Sequence, residues 1–387
     1  MLSTYNLKMP QAVYGGENSL DQITEILKSR NVKRAAMFTD KGILATGLFA
    51  LPEAAVKAAG AEYYILDEIP AEPSYEAVQK IVDQFKESGA DIIIAVGGGS
   101  VLDAAKLASV LVTEEYGVKE LLSDPLRAKK CVPTILIPTT AGTGAEVTPN
   151  AIVAVPEKEL KVGIVNANMV ADYVILDARM VKNLPKHIAA ATGVDALAHA
   201  IECYTSNKAN PFSDTFALEA LDLILNHIVP ACTDPEAMED KSKMQIAALY
   251  AGFAITAAGT TAVHALSYPL GGKYHIPHGV SNAILLAPVM RFNASYCEDR
   301  LATAYDRCCH EPKETALTAK EKAEWIIRKI EDIVKELEIP TSLKEFGVPK
   351  EDLEGLVEAG MQVKRLLVNN MRPVTPEDAR NLYLEIL

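Results

Sequence analysis

The sequence predicts an α/β amino-terminal domain built on a parallel sheet, followed by an all-α carboxyl-terminal domain. Three observations lead there. Short β-like runs alternate with helix-period segments as far as Pro138, the alternation stops after Ala141, and beyond Leu184 almost every segment has helical periodicity.

In order, Arg34–Thr39, Glu62–Leu66, Asp91–Val96 and Thr134–Pro138 read as buried strands, as short apolar runs set between helical segments. Between them, Ser19–Ser29, Leu48–Ala59, Tyr75–Ser88 and Val101–Val112 carry helical spacing. Such alternation builds a parallel sheet with helices on its faces and gathers ligands at the carboxyl ends of the strands. Ala151–Val155 and Lys161–Val165 flank a polar turn and read as an antiparallel pair, with Tyr173–Asp177 as one further strand. Phe212–Val229, Lys241–Ala258, Ala319–Leu337 and the chain end read as helices. The boundary falls near residues 180–185, giving domains 1–183 and 184–387.

At 387 residues the chain can bury two sizeable cores, and 49% apolar with 23% charged residues is ordinary for a globular enzyme. A net charge of −13 leaves no broad basic surface, which argues against nucleic-acid and membrane partners. The amino terminus lacks the apolar core of a secretory signal, and the six cysteines show no CxxC spacing. Both features fit a cytoplasmic protein. Cys308-Cys309-His310 reads as inert thiols, since adjacent side chains point different ways on a helix. From Met244 to Gly272 no acidic or basic residue occurs, but Ala, Gly and Thr dominate, which suits a central helix of the helical domain better than a lipid-facing span.

Two loops carry phosphate chemistry. Gly97-Gly98-Gly99-Ser100 follows the strongest strand and opens a helix, so bare backbone N–H groups and a helix amino terminus can face a pyrophosphate. The hydroxyl-rich loop Pro138–Thr148 follows another strand and can hydrogen-bond phosphate or ribose. Asp40 ends the first buried strand, where a carboxylate can accept from a ribose hydroxyl; the plainer reading is a helix cap.

The helical half holds a candidate metal centre. Asp195 and His199 stand at i,i+4 spacing in an alanine-rich helix that starts after Pro185, so both side chains leave one face. His264, and His278 in a Pro-His-Gly turn, are two further candidates. One carboxylate and three imidazoles suit Fe²⁺, or alternatively Zn²⁺, better than Mg²⁺ or Ca²⁺.

The runs Gly97–Lys106, Pro138–Thr148, Gly193–Glu202 and the later His264 and Pro277-His278-Gly279 together resemble the iron-containing (group III) alcohol dehydrogenases over nearly the whole chain. The resemblance implies an amino-terminal dinucleotide-binding domain, a helical metal-binding domain, and a metal in the cleft between them. It implies Asp195, His199, His264 and His278 as metal ligands and NAD(H) as cofactor. On its pattern Gly97, Gly98, Gly99, Ser100 and Asp103 form the pyrophosphate loop, Thr139, Thr140, Thr143, Asn150 and Lys161 line the cofactor, and Asp40 goes with NAD rather than NADP. The chain departs from the pattern twice. Tyr268 stands where many members have a second histidine, and Glu72-Pro73 where relatives carry Asn-Pro.

The expected activity is interconversion of a small primary alcohol and its aldehyde, for example 3-hydroxypropanal, lactaldehyde or sulfoacetaldehyde, by a homo-oligomer. His275 and Tyr268 are the candidate catalytic proton relays, His275 preferred because an imidazole can cycle near neutral pH. Lys273 is a candidate contact for a sulfonate or phosphonate tail, with an exposed lysine the simpler reading. Two rivals are a dehydroquinate synthase-like lyase, which also pairs NAD with a metal, and a non-catalytic NAD-binding assembly protein.

Overall fold

A computed structural model describes residues 4–113, 115–158, 160–310 and 317–387; the first three residues of the amino-terminal stretch read above lie outside them. Two compact units result. One comprises Lys8–Thr140 with Gly144–Leu184; the other comprises Pro185–Leu387, the segment ending at Leu7, and Ala141–Thr143.

The α/β unit holds β1 (Ala12–Gly15), β2 (Arg34–Phe38), β3 (Glu62–Leu66), β4 (Ile92–Gly97), β5 (Thr134–Pro138), β6 (Asn150–Val155), β7 (Leu160–Val165) and β8 (Tyr173–Leu176). Its helices are α1 (Gln22–Ser29), α2 (Lys41–Thr46), α3 (Ala50–Ala58), α4 (Tyr75–Ser88), α5 (Gly99–Val110) and α6 (Val118–Ser123). Six strands form one parallel sheet in the order β1-β8-β5-β4-β2-β3, and β6 and β7 pair as an antiparallel ribbon. β4 and β5 are buried along their whole length, as expected for strands with helices on both faces. β1 was not foreseen: it has four residues at a sheet edge, with alternate residues exposed, too little pattern to detect.

The order fixes where a ligand can sit. After β2 the chain moves to one edge, and after β4 it moves toward the other, so the switch point lies between these neighbours. Phe38 pairs with Ala95, which sets Thr39–Asp40 and Gly97–Ser100 side by side at the carboxyl ends.

The helical unit contains α7 (Lys186–Tyr204), α8 (Pro211–Thr233), α9 (Met238–Ala258), α10 (Ala262–Tyr274), α11 (His278–Cys308), α12 (Ala319–Glu336), α13 (Leu353–Gln362), α14 (Lys364–Leu367) and α15 (Pro376–Ile386). The uncharged stretch expected as one central helix is instead two, α9 and α10, bent by 106°. Gly259 (φ 78°) ends the first, a conformation that only glycine adopts cheaply. Among the described residues, α8 is long and apolar enough to cross a membrane, yet Ala217, Leu221, Ile224 and Ile228 on it are buried against the other helices.

Candidate metal centre and cofactor loops

Small residues let the ligand-bearing helices approach. A Cβ added at Gly279 would lie 2.1 Å from the Ala191 carbonyl oxygen, and one at Gly193 would lie 2.9 Å from Ile228. The first turn of α11 thus rests on α7, and His278 arrives beside the Asp195–His199 pair. α10 brings His264 from its own first turn.

Asp195, His199, His264 and His278 offer four ligand atoms that lie within 4.8 Å of one another. From Asp195 Oδ1 the Nε2 atoms of His199, His264 and His278 stand at 3.7, 3.6 and 3.6 Å. A tetrahedron with bonds of about 2.1 Å has edges of about 3.4 Å, so a cation such as Fe²⁺ or Zn²⁺ fits among them with little movement. The donor set also fits chemically: three imidazoles and a carboxylate, three of the four residues buried.

Their electrostatics follow from proximity. Burial pushes the Asp195 carboxyl up, but the His199, His278 and His264 imidazoles outweigh it and hold the group well below the usual carboxylate range. Burial pulls His199 down to about 4 against the attraction of Asp195. Burial also pulls on His264, yet the charges of Glu202 and Asp195 raise it to about 9.

Two supporting residues were not singled out from sequence. Glu202, fully buried on α7, accepts from His264 Nδ1, fixing which ring nitrogen faces the other ligands. Its second oxygen accepts from the Thr261 and Val263 amides at 3.1 and 2.7 Å and so caps α10. Its position three residues after His199, on the same helix face, was the available signal. Asn282 donates to Asp195 Oδ1 at 2.7 Å, and its own buried Oδ1 has no partner.

The candidate relays are separated. Tyr268 is half-buried, with its ring 6.0 Å from that of His278, and burial pushes its phenol up. His275 is exposed, closing α10 in a left-handed conformation (φ 55°). Lys273 is exposed and pairs with Asp352 at 2.7 Å.

In the α/β unit, Gly97 ends β4 and Gly98 precedes the first turn of α5, so the glycine loop does lead from a strand into a helix amino terminus. A Cβ at Gly97 would lie 2.6 Å from Val101. Thr39 and Thr139, at the ends of β2 and β5, each keep a buried hydroxyl without a partner, as an absent polar ligand would leave them. Thr140 lies beside Gly98, whereas Thr143 groups with the helical unit. Asp40 caps α2, accepting from the Ile43 amide at 2.9 Å through one oxygen. Ser100 Oγ accepts from the Glu72 amide at 3.0 Å.

Asp103 faces inward: it pairs with fully buried Lys106 at 2.7 Å and accepts from the Ile152 amide. Lys106 also donates to the carbonyls of Ala145 (2.8 Å) and Asn150, pinning the loop between β5 and β6. Lys161, on β7, pairs with Glu72 at 2.6 Å, which ties one departure from the family pattern to an expected cofactor contact.

Residues 10–178 match the family model for iron-containing alcohol dehydrogenase, and residues 189–387 match that for the carboxyl-terminal part of the Fe-containing alcohol dehydrogenase family. The chain belongs to the iron-containing alcohol dehydrogenase family. Long-chain-alcohol dehydrogenase 1 of Geobacillus thermodenitrificans is 33% identical over 99% of this chain and 96% of its own length. Sulfoacetaldehyde reductase of Bilophila wadsworthia is 32% identical, over 92% of each chain. A crystal structure of 1,3-propanediol oxidoreductase superposes with a TM-score of 0.94 at 28% identity, covering 100% of both chains. This iron-containing alcohol dehydrogenase is therefore a metal-dependent, NAD(H)-linked oxidoreductase that interconverts alcohols and aldehydes.

Proposed function

We propose that the protein acts on a short primary alcohol or its aldehyde, with Asp195, His199, His264 and His278 holding Fe²⁺ or Zn²⁺ and the Gly97–Ser100 loop holding the NAD(H) pyrophosphate. The convergence of those four donor atoms carries this reading. A bound cation supplies Lewis acidity toward a substrate oxygen, and the nicotinamide supplies or accepts hydride.

The residues do the rest. Asp195 and the three imidazoles fix the position of the electrophile, while Glu202 and Asn282 hold those donors in place. Thr139 and the amino end of α5 orient the cofactor. Tyr268 is half-buried with its ring 6.0 Å from that of His278, so its O–H can hydrogen-bond a substrate oxygen and deliver a proton. Tyr268 is the preferred relay over exposed His275 because its ring lies against a ligand.

The test is an anaerobic screen of short aldehydes against NADH on protein reconstituted with Fe²⁺, repeated with Zn²⁺. Metal-dependent NADH oxidation is expected, with Asp195→Ala losing both metal and activity. Turnover without net NADH consumption would instead favour the lyase-type reading, and a fully active metal-free protein would end the proposal.

A further inference from the structure

Asn282 lies one helical turn after His278 on α11 and is fully buried. Its Nδ2 donates to Asp195 Oδ1 at 2.7 Å and stands 3.1 Å from His264 Nε2 and 3.3 Å from His278 Nε2. One amide nitrogen therefore sits over the triangle formed by three of the four donor atoms. Asp195 decides which way the amide points: a carboxylate oxygen accepts, so the NH₂ group faces it and the amide oxygen faces away. That oxygen is buried without a partner, an arrangement that packing alone disfavours, since an apolar side chain would leave no unpaired atom. The nitrogen end accounts for a polar residue here.

The fourth donor lies across the triangle from this amide. Asp195 Oδ1 is 3.7 Å from His199 Nε2 and 3.6 Å from each of the other two Nε2 atoms, and the His199 and His264 rings stack with centroids 4.6 Å apart. In a four-donor shell of that size, the space on the His199 side of the triangle belongs to the cation and to His199 itself. The amide covers the opposite side. The approach left open runs past His199 and His278, whose side chain is 29% exposed against 8% or less for the other three donors. The Tyr268 ring lies beside that same imidazole.

We propose that Asn282 is a positioning residue for the metal centre. Its N–H fixes the inner oxygen of Asp195, and its amide closes one side of the donor cluster, so that a substrate oxygen enters only past His199 and His278. A carboxylate without that bond is free to turn and offer a cation both oxygens, and an uncovered side admits water as an extra ligand. The inference rests on the proposed function, because it takes the four donors to hold a cation.

The experiment loads the full-length protein with Co²⁺, whose visible absorption is several times stronger in a four-coordinate shell than in a five- or six-coordinate one. Asn282→Ala and Asn282→Leu are compared with the unaltered protein. Leucine branches at Cγ as asparagine does, so it keeps the side closed without an N–H, whereas alanine supplies neither. Both variants should bind Co²⁺ about 10- to 100-fold more weakly in competition with a chelator, the usual effect of removing a ligand's partner, and either variant alone tests the hold on Asp195. In Asn282→Ala the visible band should weaken by about twofold or more as water raises the coordination number, and in Asn282→Leu it should keep its intensity. Unchanged affinity in the variants overturns the hold on Asp195, and an undiminished band in Asn282→Ala overturns the closed side. An unaltered protein that takes up no Co²⁺ overturns the proposed function itself, which keeps the two failures apart.

Discussion

Glu202 Oε2 accepts the Nδ1 proton of His264, while Glu202 Oε1 takes the Thr261 and Val263 amides, so one carboxylate seats a candidate ligand and caps the helix that bears it. Position and orientation of His264 therefore depend on a single side chain of α7.

Glu202→Gln leaves the shape but sets an amide N–H against either His264 or the α10 amides. Affinity for Zn²⁺ or Fe²⁺ should fall by about 10- to 100-fold, the usual effect of losing such a partner. Competition with a chromogenic chelator reads this directly. Unchanged affinity would mean that Glu202 serves α10 alone.

Glu72 occupies a left-handed conformation (φ 50°) and neutralises Lys161. Asparagine tolerates that conformation better and carries no charge. In Glu72→Asn, NAD⁺ should bind roughly fivefold more tightly, the scale of a partly exposed ion pair. Fluorescence titration decides it, and weaker binding would show that Lys161 needs its partner.

Burial raises the Glu146 carboxyl to about 7 from its ordinary 4.5. Below 4.5 both folded and unfolded chains are protonated there; between 4.5 and 7 the folded chain binds the proton that the unfolded chain has lost, so stability falls as pH rises through this window. The loss is about 3 kcal/mol at 1.36 kcal/mol per unit. Denaturant midpoints from pH 4.5 to 8 should decline accordingly, and Glu146→Gln should flatten that slope. An equal slope in both proteins would exclude Glu146 as its source.

A methyl group at Gly279 would meet the Ala191 carbonyl oxygen at 2.1 Å. Gly279→Ala should therefore force α11 away from α7, costing about 1–3 kcal/mol and shifting His278. The expected signature is a lower melting temperature together with reduced metal content. Loss of stability at full metal occupancy would separate packing from the site.

Much of this protein was legible in one dimension because its determinants are local. Buried strands and amphipathic helices have periods of two and 3.6 residues, and Gly97–Ser100 combines a strand end with a helix start within four residues. The Asp195–His199 pair is visible for the same reason: helix geometry alone fixes i,i+4 neighbours. Edge strand β1 escaped because four residues with alternate exposure carry little pattern, and the break between α9 and α10 escaped because an uncharged run looks alike whether straight or bent by 106°.

By itself the sequence determined the alternation of elements, the glycine loop and the identity of the candidate donors. Only tertiary structure decided that Asp195 and three histidines share one centre, that Lys161 answers to Glu72, and that Lys273 answers to Asp352. Contacts between residues tens of positions apart depend on how helices pack. That packing is set by the close approaches at Gly193 and Gly279 and by the reach of buried Glu202 to α10, pairings that no spacing along the chain specifies.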